Sequence, residues 1–142
     1  MILLDTDHVT ILKYVEHPRC VALNARLAAA AQSQTIGTTV ITLEEQMRGW
    51  MAEMGRLRDV RKQTESYEEL RSLFQFFGSW TVMPFDSNAA DRFERLRRLR
   101  IRIGTLDLKI AAIVLEQDGL LLSANLRDFS KVPVLRVENW LE

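Results

Sequence analysis

Short apolar or β-branched runs alternate with longer amphipathic segments along the 142 residues of the chain. The short runs predict buried strands at 2–4, 35–39, 80–83, 120–123 and 134–137. Apolar positions at helical spacing predict helices over 6–16, 18–31, 43–54 and 57–77, from Asp86 or Ser87 to residue 102, and from a Thr105 cap to residue 115. Strands separated by helices predict an α/β fold with a central, mainly parallel sheet flanked by helices, as one domain over 1–142.

Composition indicates a soluble globular protein but does not identify a binding partner. Hydrophobic residues make up 47% and charged residues 27% of the chain, which is typical of a soluble globular protein. Basic and acidic residues number 19 each, so only local charge could attract a polyanion. The single cysteine, Cys20, excludes an internal disulfide and fits a reducing cytoplasm. The first residues carry no basic segment and meet an acid at Asp5, so we expect no signal peptide and a cytoplasmic location.

Acidic and polar residues follow the predicted strands where functional groups gather in open parallel sheets. These residues are Asp5, Thr6 and Asp7 after the first strand, Glu45 early in the third helix, Asp107 in the first turn of the last long helix, and Asn125, Arg127 and Asp128 after the 120–123 strand. Carboxylates that converge repel one another, so such a cluster usually exists to hold a cation. Oxygen ligands without His or Cys favour Mg²⁺ or Mn²⁺ over zinc.

Each acid also has a purely structural interpretation. Asp107 could favour the dipole of its helix. Asn125 and Asp128 could be ordinary turn residues, and Glu45 could be a solvated charge on a helix face. Asp5 fits such an interpretation least, because an acid directly after a fully apolar strand is poorly placed for solvation.

Four segments together resemble a known family. Residues 3–7 (Leu-Leu-Asp-Thr-Asp) resemble the opening of PIN domains, where an apolar strand runs into Asp-Thr-Asn or a close variant. Residues 41–49 resemble the second signature, a Glu followed four residues later by Gly, and this register selects Glu45 because of Gly49. Residues 103–112 resemble the third, with Asp107 opening an Ile-Ala-Ala helix, and residues 123–140 look like the VapC-type ending. The whole chain therefore resembles the VapC-type toxin ribonucleases of type II toxin–antitoxin pairs.

The resemblance implies a PIN-like three-layer fold and a Mg²⁺- or Mn²⁺-dependent endoribonuclease that hydrolyses RNA phosphodiester bonds. Asp5 and Asp107 would be the main metal ligands, Glu45 a ligand or the base that orients water, and Asp128 a further ligand. Thr6 could position a carboxylate or a phosphate. The resemblance also implies a VapB-like antitoxin that blocks the site, and a homodimer. Four apolar residues, namely Trp50, Met51, Met54 and Leu57, could line an antitoxin groove or a dimer interface.

Six arginines between residues 92 and 102 suggest a contact with RNA. Phe93, Leu96, Leu99 and Ile103 would face the core of the same helix and leave the arginines outward. A solvated amphipathic face is the alternative interpretation. Because the segment immediately precedes Asp107, we expect Arg98, Arg100 and Arg102 to bind RNA, with Asn125 and Thr6 contributing.

Two departures from the family pattern and two rival classes remain open. Asp7 replaces the usual Asn, and the pair Ser123–Ala124 replaces the usual Thr. Asp7 could be a fifth ligand or could support one. A haloacid-dehalogenase-like phosphatase, with Asp5 as nucleophile, shares the Asp-x-Asp opening but would need a lysine and paired acids. A non-catalytic Mg²⁺-binding module, receiver-like or a degenerate PIN domain, is the other rival. Neither His8 nor His17 is expected to be catalytic.

Overall fold

Five strands and seven helices make up the fold, and the computed structural model describes all residues from 1 to 142. In chain order the elements are β1 (Ile2–Leu4), α1 (Thr6–Leu12), α2 (Pro18–Ala30), β2 (Ile36–Thr39), α3 (Val40–Arg56), α4 (Thr64–Gly78), β3 (Thr81–Met83), α5 (Ser87–Arg98), α6 (Thr105–Glu116), β4 (Leu120–Leu122), α7 (Leu126–Phe129) and β5 (Arg136–Glu138). No helix is both long and apolar enough to cross a lipid bilayer.

The strands form a single sheet in the order β3-β2-β1-β4-β5, and every neighbouring pair is parallel. β1 is the central strand, with Leu3 paired to Gly37 of β2 and to Leu121 of β4. Because all five strands point the same way, their carboxyl ends share one edge of the sheet. The predicted α/β class and parallel sheet are confirmed.

Alternation along the strands produces a core on each face of the sheet. Leu3 and Leu121 pack with the buried faces of α5 and α6, including Phe93 and Ile113. The neighbouring strand residues pack in a second cluster with α1, α2 and α4, formed by Ile2, Leu4, Val9, Leu23, Leu27, Leu73, Phe77 and Leu122. The result is three layers, helix on sheet on helix, as predicted.

Two helices on the second face are shorter than predicted. α1 ends at Leu12 rather than residue 16, because Tyr14 and Val15 are exposed and the extended backbone of His17 precedes Pro18. α4 begins at Thr64 rather than residue 57. The intervening residues form turns, and the Gln63 side chain donates to the carbonyls of Met54 and Leu57, at 3.2 and 2.7 Å.

The second half of the chain also departs from prediction in detail. α5 ends at Arg98 rather than residue 102, because Arg100 adopts a positive φ of 56°, which breaks the helix. Leu99 was expected in the core but is exposed. Gly104, not Thr105, is the N-cap of α6. The one-turn helix α7 was not predicted, and the last strand begins at Arg136 rather than residue 134.

Gly37 is where two strands come too close for any side chain. A Cβ at this position would lie 2.6 Å from the Thr81 carbonyl oxygen of the adjacent strand. We expect Gly37→Ala to lower the free energy of unfolding by about 1–3 kcal/mol, because β2 and β3 must move apart. Gly55→Ala is the matched control, since a Cβ there in α3 meets nothing within 4 Å and helical Ala should stabilise by about 0.5–1 kcal/mol. Urea unfolding of both variants measures the difference, and an unchanged midpoint for Gly37→Ala would contradict the close pairing.

Candidate active site

Asp5 ends the central strand and begins the first helix. Its backbone N–H donates to the Leu122 carbonyl of the neighbouring strand at 2.9 Å, which fixes it at the carboxyl edge of the sheet. Its Oδ1 accepts the Thr6 N–H at 2.7 Å as the N-cap of α1, and its Oδ2 accepts the Ser123 hydroxyl at 2.7 Å. The side chain is therefore buried and oriented from two sides, at 6% exposure.

Asp7 holds the turn that follows β4. Its Oδ2 accepts the Ala124 backbone N–H at 2.9 Å and lies 3.4 Å from the Ser123 hydroxyl. Its Oδ1 lies 2.5 Å from Nδ1 of His8, which is fully buried. Burial opposes ionisation of Asp7, but the hydrogen bonds from His8 and Ala124 outweigh it and lower the pKa of its carboxyl.

Glu45 reaches the site from the neighbouring strand. β2 passes directly into α3, where the Thr39 hydroxyl caps the helix by accepting the Thr42 N–H at 3.2 Å. This places Glu45 in the second turn, and the Thr6 hydroxyl donates to its Oε1 at 3.3 Å. Glu44, by contrast, pairs with Arg48 on the surface. The selection of Glu45 over Glu44 by register thus agrees with which of the two acids lies beside Thr6.

Asp107 and Asp128 are joined through Asn125. The Asn125 amide lies 3.4 Å from Asp107 Oδ2 and 3.2 Å from Asp128 Oδ2. Asp107 stands in the first turn of α6, and Asn125 is the N-cap of α7. Asp128 also pairs with Lys131 at 3.3 Å. Hydrogen bonds from Asn125 and Lys131 lower the pKa of Asp128.

Asp5, Glu45 and Asp107 have raised pKa values, because each is at least partly buried and lies near other carboxylates. Burial, reinforced by the charge of Asp7, raises the pKa of Asp5 to about 6. Burial, together with the charges of Asp5 and Asp107, raises the pKa of Glu45 to about 7. Burial and the charge of Asp128 also raise the pKa of Asp107. Neighbouring carboxylates therefore contribute to all three raised pKa values, and a bound cation would favour the ionised forms.

The oxygen donors of this group suit a hard divalent cation, but the side chains do not converge on one ion position. No group of three or more His, Cys, Asp or Glu side chains is arranged to hold one metal ion as the side chains stand. Mg²⁺ commonly retains several waters and takes only one or two carboxylates directly, so a hydrated ion is the form that fits this set.

Half of the arginines between residues 92 and 102 are engaged elsewhere. Arg92 and Arg95 pair with Glu116 at the far end of α6, at 2.8 and 3.8 Å, and Arg97 pairs with Glu94. The remaining three, Arg98, Arg100 and Arg102, are exposed and make no ion pair. Lys131 donates to the Arg102 carbonyl at 3.1 Å while pairing with Asp128, which ties the arginine loop to the acidic turn.

A cleft of about 1010 Å³ extends from the acids between α1, α3 and α4. Glu45 lies in its lining, and Trp50 and Phe76 supply apolar surface. The other charged residues that line it are Lys13, Glu53, Glu65 and Glu69, so the cleft is predominantly acidic. Of the apolar residues expected to line a groove, Trp50 does so, whereas Met51 is exposed.

Sequence reasoning missed three contributors to the site. Ser123 was noted as a departure but not as the donor to Asp5, although its place directly after a buried strand could have indicated it. Lys131 gave no local signal for its pairing with Asp128. His8 was set aside as not catalytic, but it is fully buried and bonds Asp7.

Solved structures of toxin–antitoxin complexes contain chains with this fold. A chain of the VapBC2 complex of Rickettsia felis, bound to a DNA fragment from its promoter, matches with a TM-score of 0.72 and 23% identity over 99% of each chain. DNA-bound VapBC of Salmonella typhimurium matches with a TM-score of 0.73 and 20% identity, over 98% of this chain and 97% of that chain. A toxin–antitoxin complex of Klebsiella pneumoniae matches with a TM-score of 0.66 and 18% identity, over 99% and 98%. No family model and no curated protein matches the chain.

The fold is thus shared with chains of these VapBC complexes, as the resemblance to VapC-type PIN domains predicted. Five parallel strands, flanked by helices, bring the residues of the first, second and third signatures and the ending to one edge of the sheet. At this level of identity the likeness defines the architecture, and the chemistry must be argued from the residues of this chain.

Proposed function

We propose that this protein is a metal-dependent endoribonuclease of the VapC toxin type, neutralised by a cognate antitoxin. One observation carries the proposal: Asp5, Glu45 and Asp107, from three separate elements at the edge of the sheet, all have raised pKa values, because of burial and of repulsion from neighbouring carboxylates. Such mutual repulsion is costly for folding unless the acids bind a cation or work as acids and bases. Three exposed arginines beside them supply charge for a polyanionic substrate.

Asp5, Asp107, Glu45 and Asp128 would hold the ion, which when bound supplies an activated water and neutralises charge on the scissile phosphate. Asp5 is pre-oriented for this by Thr6 and Ser123. Asn125 keeps Asp107 and Asp128 within reach of one amide group. Mn²⁺ would suit the same oxygen donors as Mg²⁺.

Glu45 is the residue best suited to move a proton. Its Oε1 is engaged by Thr6, which leaves Oε2 free to accept a proton from an attacking water. Without an ion, burial and the charges of Asp5 and Asp107 raise the pKa of Glu45 to about 7. An ion held by Asp5 and Asp107 would lower that pKa and keep the carboxylate ionised at neutral pH, as a proton acceptor must be. Water would add to phosphorus, the bond to the leaving oxygen would break, and the leaving oxygen would take its proton from solvent.

The RNA strand would approach over the loop that follows α5. Arg98, Arg100 and Arg102 carry unpaired charges there, and the link from Arg102 through Lys131 to Asp128 keeps the loop next to the acids. Thr6 and Asn125 lie within the acidic group itself and could contact the phosphate nearest the cleaved bond.

Reversing charge in this loop should weaken substrate binding. We expect Arg98→Glu with Arg100→Glu to raise KM at least tenfold and to reduce the slope of affinity against salt by about 1.4, the loss of two phosphate contacts. The control is Arg61→Glu with Lys62→Glu, which changes the net charge by the same amount. These two exposed residues follow the end of α3 that is distant from Glu45. If cleavage and its salt dependence are equal in the two double variants, RNA does not follow the arginine loop.

The acidic cleft favours a basic partner segment, and the neighbours that share the fold are toxin–antitoxin complexes. We propose that the antitoxin occupies this cleft with a cationic and apolar segment, because Glu53, Glu65 and Glu69 line it together with Trp50 and Phe76. Since Glu45 lies in the same lining, such a segment would also cover the active site. A homodimer, with Met51 at its interface, is the companion proposal.

The phosphatase alternative has less support in the arrangement of side chains. Its lysine would have to stand beside Asp5, but Lys109 lies with its Nζ 5.6 Å from the ring centre of Phe85. The test is to incubate the purified protein with a panel of structured and single-stranded RNAs and with a small phosphomonoester, in Mg²⁺ or Mn²⁺ and again in EDTA. RNA cleavage that EDTA abolishes supports the proposal. Hydrolysis of the phosphomonoester without cleavage of RNA would favour the phosphatase alternative.

A further inference from the structure

Asp7 and His8 lie between two backbone N–H groups from distant parts of the chain. At one end, the Ala124 N–H donates to Asp7 Oδ2 at 2.9 Å. At the other, the Trp140 N–H donates to His8 Nε2 at 3.1 Å. Between them, His8 Nδ1 and Asp7 Oδ1 are 2.5 Å apart. The four groups form one continuous row that links the turn after β4 to the C-terminal segment.

The direction of every hydrogen bond in this row is fixed by its ends. A backbone N–H can only donate, so Asp7 Oδ2 and His8 Nε2 must both accept. The ring proton of His8 must then be on Nδ1, from which it donates to Asp7 Oδ1. This assignment follows from the bonding partners. Because His8 is fully buried, no water can correct a mismatch at this point.

The same logic explains why position 7 carries an acid. An Asn at this position would present an N–H either to the Ala124 N–H or to the Nδ1–H of His8. If His8 moved its proton to Nε2 to avoid this, that proton would face the Trp140 N–H. Only a group that accepts at both of its atoms, next to a neutral imidazole, satisfies both ends.

We propose that Asp7 and His8 are a positioning pair that fixes the turn Ser123–Asn125, and that Asp7 is not a metal ligand. Asp7 cannot turn either oxygen to an ion without breaking the row, because Oδ1 accepts from the buried His8 ring and Oδ2 accepts the Ala124 N–H. The turn that it holds reaches the other acids directly. Ser123 donates to Asp5 at 2.7 Å, and Asn125 lies within 3.4 Å of both Asp107 and Asp128. The consequence for catalysis rests on the proposed function, but the hydrogen-bond row does not.

The far end of the row is held by packing. The Trp140 ring lies 4.0 Å from the guanidinium carbon of Arg26 in α2, and its Nε1 donates to Glu138 at 2.7 Å. Trp140 is therefore fixed by its ring on one side and by its backbone N–H on the other. The pair thus stands between a fixed C-terminal segment and the turn of the active site.

Nitrogen-15 NMR of the histidine rings in the metal-free protein tests the row without any cleavage assay. The chain has two histidines, and the second supplies an internal contrast. His17 Nδ1 accepts the Arg19 N–H at 3.1 Å, so its proton belongs on Nε2. We expect His8 protonated on Nδ1 and His17 on Nε2, with His17→Gln assigning the signals. A His8 proton on Nε2 would overturn the proposal.

Asp7→Asn tests the role of the carboxylate. We expect the His8 tautomer to be lost and the Ala124 and Trp140 amides to exchange about tenfold faster or more. In the ribonuclease assay kcat should fall about 10–100-fold with KM unchanged. Asp59→Asn, which alters an exposed turn carboxylate bonded to the Arg61 N–H, is the control and should change none of these. If Asp7→Asn leaves the amide exchange rates and the His8 tautomer unchanged, the proposal of a positioning pair is overturned.

Addition of Mg²⁺ to the wild-type protein separates positioning from ligation. If Asp7 only positions the turn, the His8 proton remains on Nδ1 at saturating Mg²⁺. If Asp7 turns to the ion, His8 loses its acceptor and its ring signals change, which would overturn the second half of the proposal. Because the tautomer and the exchange rates are measured without RNA, failure of the pair and failure of the nuclease function are distinguishable.

Discussion

Asp5→Asn should abolish cleavage and at the same time stabilise the fold. Cleavage should fall about a hundredfold or more, since the variant removes an ion ligand and not merely a group that supports one. The free energy of unfolding should rise at about pH 8, because the buried carboxylate, with its pKa at about 6, is ionised there at a cost. The rise in the Asp5 pKa from 3.8 to about 6 corresponds to roughly 2–3 kcal/mol, which is the largest increase in the free energy of unfolding that we expect for the variant.

The stability of Asp5→Asn should itself depend on pH. At about pH 4 the Asp5 carboxyl of the folded wild type is largely protonated, so Asp5→Asn should raise the free energy of unfolding only slightly. Thermal unfolding at the two pH values, each without metal, makes the comparison. A variant that loses cleavage and also loses stability at the higher pH would show that Asp5 has a structural role and would contradict the site.

Removal of metal should make the protein sensitive to rising pH. Asp5 has a folded-state pKa of about 6 against an ordinary 3.8, and Glu45 of about 7 against 4.5. At a pH between the ordinary pKa and the folded-state pKa of either group, the folded protein binds a proton that the unfolded chain does not. The stability contributed by the protonated groups is therefore fully present below about pH 4 and is lost as the pH rises to about 7.

Mg²⁺ should reverse this loss because it binds the ionised acids. In EDTA we expect the melting temperature to fall by several degrees between about pH 5 and pH 8, at about 3 °C per kcal/mol for a chain of this size. In excess Mg²⁺ the fall should be smaller, and the stabilisation should grow with pH as RT ln(1 + [Mg²⁺]/Kd). Asp5→Asn is the control, because it removes one of the two titrations. If EDTA and Mg²⁺ gave the same pH dependence, the acids would not be a metal site.

The strands and the order of the acids could be predicted because both depend on local pattern. β1 is three consecutive apolar residues that are completely buried, and Asp5 follows them without a gap. Register selected Glu45 rather than Glu44, and Glu45 is the one whose Oε1 accepts the Thr6 hydroxyl. In a parallel sheet, residues that follow neighbouring strands lie close together, so the contact between Asp5 after β1 and Ser123 after β4 follows from the fold class.

Helix ends and charge pairing could not be predicted because they depend on distant residues. Nothing near Arg92 reveals that Glu116 will neutralise it from another helix. The end of α5 is fixed by a positive φ at Arg100, a residue that gives no such signal in the sequence. The link from His8 to Trp140 joins residues 132 positions apart. The neighbourhood of Asp7 therefore became clear only with the structure.

The most direct test of the account is a comparison of Glu45→Gln with Glu44→Gln in RNA cleavage at increasing Mn²⁺ or Mg²⁺. The two residues are adjacent and chemically identical. Glu45 accepts the Thr6 hydroxyl, and burial and the charges of Asp5 and Asp107 raise its pKa, whereas Glu44 pairs with Arg48. We predict that Glu44→Gln cleaves like the wild type and that Glu45→Gln loses activity by about a hundredfold or more at every metal concentration. Equal activity in the two variants, or equal loss, would contradict a catalytic site built on the acids at the edge of the sheet.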